Sequence, residues 1–151
     1  METVLILDFG AQYSQLIARR VREQNVYCEV KPCSISPDEI RELAPIGIIL
    51  SGGPQSVYES VSLHVDPALF SLGIPVLGIC YGCQLMAYSL GGTVAAATEE
   101  TAREYGKTLT EFDTESAIFH GLPASSVTWM SHGDYISQVP DGFTVTAKTA
   151  V

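Results

Sequence analysis

Basic residues are scarce: eight lysines and arginines stand against seventeen acidic residues, for a net charge of −9. A surface of that sign repels phosphate backbones and anionic lipid alike, which sets aside nucleic acid and membrane surfaces as partners. Long hydrophobic runs are missing as well. The apolar run near the amino terminus, Val4 to Leu7, has no basic leader and is too short for a signal peptide or a membrane span, so a cytoplasmic protein is expected. Cysteine is sparse, four in 151 residues. In a reducing compartment these are thiols, ligands or nucleophiles rather than a disulfide framework, and each needs its own reading. Neither repeat, low-complexity tract nor linker interrupts the chain. With 46% hydrophobic and 17% charged residues, one packed domain over 1–151 is the expectation.

What is present is a strand and helix alternation. Val4 to Asp8, Gly47 to Leu50 and Pro75 to Ile79 are short continuous apolar runs, as in parallel strands buried on both faces, and Val26 to Val30 reads as another strand. Tyr13, Leu16, Ile17 and Val21 recur at helical spacing. Ser36-Pro37-Asp38-Glu39 supplies a cap, a first-position proline and a capping-box glutamate, and a further helix is expected over Pro67 to Leu72. The order βαβαβαβ predicts an α/β fold, an open, doubly wound, mostly parallel sheet with helices on both faces. Beyond Gly91-Gly92 the pattern changes to strand-like pieces around Thr93 to Ala96, Lys107 to Glu111, Val127 to Met130 and Thr144 to Lys148, a smaller, partly antiparallel portion near the C-terminus. Ligands in such sheets bind beyond the carboxyl ends of the strands. Those ends are Asp8-Phe9-Gly10, Ser51-Gly52-Gly53-Pro54 and Cys80-Tyr81-Gly82.

Gly78-Ile79-Cys80-Tyr81-Gly82 has the G-x-nucleophile-x-G form, placed where a strand turns into a helix running from Cys83 to Leu90. Such a turn leaves little room for side chains two residues either side of the nucleophile, and a helix amino terminus favours a thiolate. The amide of Tyr81 faces the same point as Cys80 and offers half of an oxyanion hole, while Gly52 and Gly53 let a neighbouring loop approach a ligand closely. Two rival readings compete. Cys80 and Cys83 form a C-x-x-C at a helix start, the arrangement of dithiol oxidoreductases, and Cys28 with Cys33 extends it to four zinc ligands. Against zinc, Cys28 and Cys33 are an odd number of residues apart and leave a strand on opposite faces. The plain alternative is a small buried cysteine between ordinary turn glycines.

A thiol nucleophile needs a base, and the histidines are His64, His120 and His132. His120-Gly121-Leu122-Pro123 resembles a helix end, with His120 beside the last carbonyls. His64 reads as a loop or surface residue. His132, in Trp129-Met130-Ser131-His132-Gly133-Asp134, stands at a strand end in a loop suited to gripping a substrate; the bland alternative is a polar turn with Asp134 as a helix cap.

Four segments together, Leu7 to Tyr13, Leu50 to Pro54, Gly78 to Gln84 and Trp129 to Asp134, resemble the class I glutamine amidotransferase family, and the resemblance runs from about Thr3 to the end. It implies that Cys80 attacks the side-chain carboxamide of glutamine, releases ammonia and leaves a glutamyl thioester for water. It further implies that Gly53 and Tyr81 stabilise the oxyanion. Gly52, Gln84, Ser131, Gly133 and Asp134 are expected around the amino-acid end of glutamine, with His132 in that loop rather than acting as the base. No cofactor or metal is expected for this domain. In the branch it is most similar to, ammonia passes to an ATP-pyrophosphatase synthetase domain of the same enzyme, which uses ATP and Mg2+ to turn XMP into GMP.

Two departures qualify the resemblance. Cys83 stands where the family usually has methionine, which creates the C-x-x-C. The family's catalytic histidine and glutamate lie in a Phe-His-Pro-Glu segment, and neither that segment nor a Ser-Gly-Gly-Val-Asp-Ser pyrophosphatase loop occurs in these 151 residues. The expectation is therefore an amidotransferase domain incomplete at its carboxyl end and inactive alone. Loss of a terminal strand and helix bares a sheet edge, through which two copies are expected to pair as a homodimer. A non-catalytic glutamine-binding or docking piece is the alternative.

Overall fold

Three consecutive residues, Leu5, Ile6 and Leu7, are each at most 1% exposed. A strand whose side chains alternate between faces can bury all three only when both faces are covered. That strand is β1 (Thr3–Asp8), which lies between β2 (Tyr27–Pro32) and β3 (Gly47–Leu50), with β4 (Val76–Gly78) beyond β3. All three pairings are parallel. The computed structural model describes residues 2–10, 12–53, 56–59, 63–96 and 104–150. Ala11, Pro54 and Gln55, which belong to or adjoin motifs read above, lie outside the described residues. The chain divides into two compact units, Met1–Leu90 and Gly91–Val151.

In the first unit, register separates the two faces. Val4, Ile6, Cys28, Val30 and Ile49 share one face and pack with Ala18, Ile17 and Val21 of α1 (Ser14–Glu23). Leu5, Leu7, Ile48 and Leu50 share the other, where Leu50 meets α3 (Tyr81–Ser89) at Gly82. The fold is thus an α/β, doubly wound parallel sheet with helices on both faces, as expected. Helix α1 buries Ser14 and Ala18, whereas Tyr13 and Leu16, assigned from the sequence to the apolar stripe, are 64% and 53% exposed. The series Ser14, Ile17, Ala18, Val21, of which Ser14 and Ala18 are buried and Ile17 and Val21 partly buried, is also helically spaced, and its small residues let the helix approach the sheet. Ser14 is drawn inward because its hydroxyl donates to Asp8 Oδ1 at 2.7 Å.

Helix α2 (Pro37–Leu43) starts with the expected box: Ser36 Oγ accepts from the Glu39 amide at 3.2 Å, and the Ser36 amide donates to Glu39 Oε2 at 2.9 Å. The helix expected over Pro67 to Leu72 is a single 3-10 turn, Pro67–Ser71. Asp66 caps it by accepting from the Ala68 amide, and Gly73, at φ +74°, turns the chain away after one turn.

The second unit is antiparallel. Strand β5 (Thr93–Ala96) pairs with β8 (Asp134–Gln138), and β6 (Glu104–Phe112) lies between β7 (Ser125–His132) and β9 (Ala147–Lys148). The expected strands near 107–111 and 127–130 are longer than read, and the one near 144–148 is shorter. No helix ends at His120. Residues 113–122 form a chain of turns, with the Ser116, Phe119 and Leu122 amides each donating to the carbonyl three residues back. Asp134 opens β8 and caps no helix.

Candidate active site

The parallel register brings the strand ends of the first unit to one edge. Asp8 pairs with Pro32, Leu7 with Leu50, and Leu50 with Gly78. Beyond that edge the ladder continues by one bond on three strands: the Cys33 amide donates to the Asp8 carbonyl at 3.2 Å, the Ser51 amide to the Leu7 carbonyl at 3.2 Å and the Ile79 amide to the Leu50 carbonyl at 3.0 Å. Ser51-Gly52-Gly53 and Ile79-Cys80 therefore leave the sheet side by side.

Cys80 sits in the left-handed region, at φ 52° and ψ −115°, and α3 begins at the next residue, two earlier than the sequence suggested. Such a backbone in a residue with a side chain costs about 1–3 kcal/mol and persists only where its surroundings over-determine it. Here they do. A Cβ on Gly82 would lie 2.3 Å from the Leu50 carbonyl oxygen, and one on Gly78 would lie 2.7 Å from the Cys83 amide nitrogen. The two motif glycines are thus contact points between strand and helix backbones. The Cys83 and Gln84 amides both donate to the Cys80 carbonyl, at 3.0 and 3.1 Å, closing the first helical turn under an exposed Cys80.

Gly52 and Gly53 lie against this turn. A Cβ on Gly52 would stand 3.7 Å from Cys80 Cβ, and one on Gly53 would stand 3.3 Å from the Tyr81 ring and 3.4 Å from Phe9 Cβ. Tyr81 is 1% exposed. Its ring lies 5.4 Å from that of Phe9, and its hydroxyl donates to the Leu63 carbonyl at 2.6 Å. One side chain thereby ties the helix start to the end of β1, the glycine loop and the 63–66 segment. Phe9 and Leu63 were not identified as supports from the sequence. Phe9 lay in a strand-end motif, while nothing in the sequence pairs Leu63 with residue 81. Gln84, nearly buried, lies one turn along α3 from Cys80.

Ser131, His132, Gly133 and Asp134 belong to the second unit, where β7 ends at His132 and β8 starts at Asp134. Tyr105 is in register with Ser131, and its hydroxyl lies 3.5 Å from where a Gly133 Cβ would stand. Of the other histidines, His64 has its ring 5.9 Å from that of Tyr88, and His120 lies in the turns before β7.

The four cysteines have separate environments. Cys28 is buried in the α1 face of the core, its thiol directed at the Ala18 carbonyl at 3.4 Å. Cys33 is buried after β2, and burial, with a smaller contribution from the Asp8 charge, pushes its thiol pKa up. Burial, followed by the field of Cys80, also pushes the Cys83 thiol up. Among the described residues, no group of three or more His, Cys, Asp or Glu side chains is placed to hold a metal, which disposes of the four-cysteine zinc reading. An exposed thiol at the start of a helix, with glycine backbone beside it, is equipped to add to a carbonyl carbon.

Residues 5–151 match the model of the family described as glutamine amidotransferase class-I, and the chain belongs to that family. It is 55% identical over 150 residues to the GMP synthase [glutamine-hydrolyzing] of Clostridium botulinum (strain Alaska E43 / Type E3) and 56% identical over 150 residues to that of Thermobifida fusca (strain YX). In each case 99% of this chain is covered; it spans 29% and 28% of those proteins. The crystal structure of a Thermoplasma acidophilum protein assigned as a GMP synthase subunit matches with a TM-score of 0.85 at 31% identity, covering 99% of this chain and 74% of that one. A glutamine amidotransferase of Thermotoga maritima, 21% identical, shares the fold at a TM-score of 0.74, covering 99% of this chain and 67% of that one. Nothing in these likenesses supports a dithiol oxidoreductase. Among the described residues, no helix is long and apolar enough to cross a membrane.

Proposed function

We propose that this chain is the glutamine-hydrolysing part of a GMP-synthase-type enzyme of the cytoplasm, with Cys80 as its nucleophile. The observation that carries the reading is the exposed Cys80 at a left-handed backbone position, with Gly52-Gly53 laid against Cys80 and Tyr81. The Cys80 thiolate adds to the side-chain amide carbon of glutamine. Charge gathers on the amide oxygen, where the Gly53 and Tyr81 amides stabilise it. The C–N bond then breaks, ammonia leaves with a proton from the general acid, and water hydrolyses the glutamyl thioester to glutamate. Gly52 and Gln84, both of the first unit, hold the amino-acid end. Ammonia passes to a synthetase domain that uses ATP and Mg2+ to aminate XMP to GMP.

In this reading the base is the histidine of the family's Phe-His-Pro-Glu segment, which these 151 residues do not contain. A general acid–base group is worth about 10²- to 10⁴-fold, so the 151-residue chain should release ammonia from glutamine little faster than its Cys80→Ala variant. A version extended through such a segment should recover that factor, and lose it again with Cys80→Ala. A glutamine-like chloroketone should label Cys80 ahead of Cys28 and Cys33. Preferential labelling of either buried cysteine would remove Cys80 from its role. Robust turnover by the 151-residue chain that His132→Ala abolishes would make His132 the base.

A further inference from the structure

Cys83 has no part in glutamine hydrolysis as proposed, yet it shares the first turn of α3 with the nucleophile. The Cys83 amide donates to the Cys80 carbonyl at 3.0 Å. A turn closed in this way holds its end Cα atoms within about 7 Å, a span that overlaps the roughly 4.4–6.8 Å a disulfide bridges. Side chains of a helix lean toward its amino end, which directs Cys83 toward residue 80 rather than along α3. Contact of its backbone with Gly78 keeps Cys83 in place. Of the two thiols one is exposed and the other half-buried, while Cys28 and Cys33 are buried elsewhere.

We propose that Cys83 is a resolving thiol for Cys80: when a peroxide oxidises the nucleophile, the pair closes into a disulfide that shields Cys80 from irreversible oxidation. The inference rests on the reading of Cys80 as the reactive thiol. Sulfur of Cys80 attacks one peroxide oxygen, the O–O bond breaks, one water is released, and Cys80 becomes a sulfenic acid. Cys83 sulfur then attacks Cys80 sulfur, the S–O bond breaks, and the hydroxyl leaves as a second water with the Cys83 proton. Two thiols lose two electrons, and hydrogen peroxide gains them. A dithiol reductant restores both thiols. The raised pKa of Cys83 suits this division of labour, because a protonated, half-buried thiol does not compete for peroxide and acts only once its neighbour is activated.

The experiment treats the chain and its Cys83→Met and Cys83→Ser variants with hydrogen peroxide, then dithiothreitol, and maps Cys80 by iodoacetamide labelling and peptide mass. Before peroxide, Cys80 should label in all three proteins. After peroxide, the unmodified chain should show a Cys80–Cys83 disulfide and regain its labelling on reduction. Both variants should accumulate sulfinic or sulfonic acid at Cys80, with an unrecovered fraction at least about tenfold larger. If Cys80 labels normally but peroxide drives equal irreversible oxidation in all three, the resolving role is overturned and the nucleophile reading stands. If Cys80 reacts with neither reagent in the unmodified chain, both fall together.

Discussion

Strand β1 of the first unit buries Leu5, Ile6 and Leu7 in succession, whereas β6 and β7 of the second leave Tyr105, Leu109, Val127 and Trp129 between 57% and 75% exposed. Those four share one face of the β6–β7 pair, with Lys107 opposite Trp129 and its ammonium 5.8 Å from the indole ring. On the other face Thr110 is buried and bonded to Thr128 at 2.6 Å. A parallel sheet covered on both faces fixes its backbone from two sides, and an antiparallel pair with one open face does not. The strained Cys80 follows β4, the last strand of that sheet, where Leu77 is 48% exposed, but its turn is braced against the covered strand β3. A nucleophile held off the ordinary backbone regions needs neighbours that cannot give way, and Leu50, Gly78 and Gly82 provide them.

The largest effects should follow that division. Leu50 is fully buried, while Leu109 is 61% exposed. Leu50→Ala should therefore destabilise the chain by about 3–5 kcal/mol, the upper part of the range for a leucine truncated in a close-packed core. Leu109→Ala should stay within about 0.5 kcal/mol. Urea unfolding of both variants measures this, and a Leu109 cost equal to that of Leu50 would erase the contrast.

Glycines offer a second comparison. Alanine at Gly82 would drive its Cβ into the Leu50 backbone at 2.3 Å, whereas alanine at Gly133 would meet only the hydroxyl end of Tyr105 at 3.5 Å. Gly82→Ala should cost about 2–3 kcal/mol, at the upper end for overpacking, and slow alkylation of Cys80. Gly133→Ala should leave both stability and Cys80 alkylation close to those of the unmodified chain. An unchanged Gly82→Ala protein would show that α3 slides freely over β3, and the steric account of the motif would fail.

The first unit was largely legible because burial on both faces writes itself into sequence as continuous apolar runs, as at Val4 to Leu7 and Gly47 to Leu50; the run Pro75 to Ile79, expected to be buried in the same way, is instead β4 at the end of the strand order, with Leu77 48% and Ile79 38% exposed. The elbow was legible for a steric reason, since backbone contact at Gly78 and Gly82 permits only glycine. What escaped depends on tertiary partners. Ser14 and Ala18 do not register as an apolar stripe, yet Asp8 and the sheet bury them in place of Tyr13 and Leu16. The support of Tyr81 by Leu63 spans eighteen residues and uses a backbone carbonyl, which no side-chain pattern encodes. Strand β8 was missed because Asp134 to Gln138 is five residues with only Tyr135 and Ile136 apolar, and its partner, β5, lies some forty residues earlier. The turns before β7 were read as a helix end because Gly121, at φ +82°, has the backbone of a helix stop without a helix before it.

The smallest predicted effect uses acid to sharpen the same comparison. At the start of α2 the Ser36 amide and the Ser36 hydroxyl each donate to Glu39 Oε2 at 2.9 Å. The amide bond, then the hydroxyl bond, holds the Glu39 carboxyl below its ordinary pKa; slight desolvation opposes this and the Lys31 charge assists. A carboxyl whose folded pKa lies below its unfolded one contributes stability that is complete above the unfolded pKa and disappears as pH falls through the folded pKa. Acidification from the ordinary glutamate range downward should therefore loosen α2. Glutamine can still accept in a capping box, so Glu39→Gln should change neutral-pH stability little and remove this acid response. Hydrogen-exchange protection factors across residues 37–44, taken relative to the slower intrinsic exchange at low pH, should fall in acid more for the unmodified chain than for Glu39→Gln, while those of β6 and β7 show no difference between the two proteins. If the variant retains the full acid response of α2, the Glu39 carboxylate is not its source and another titrating group governs that end of the first unit.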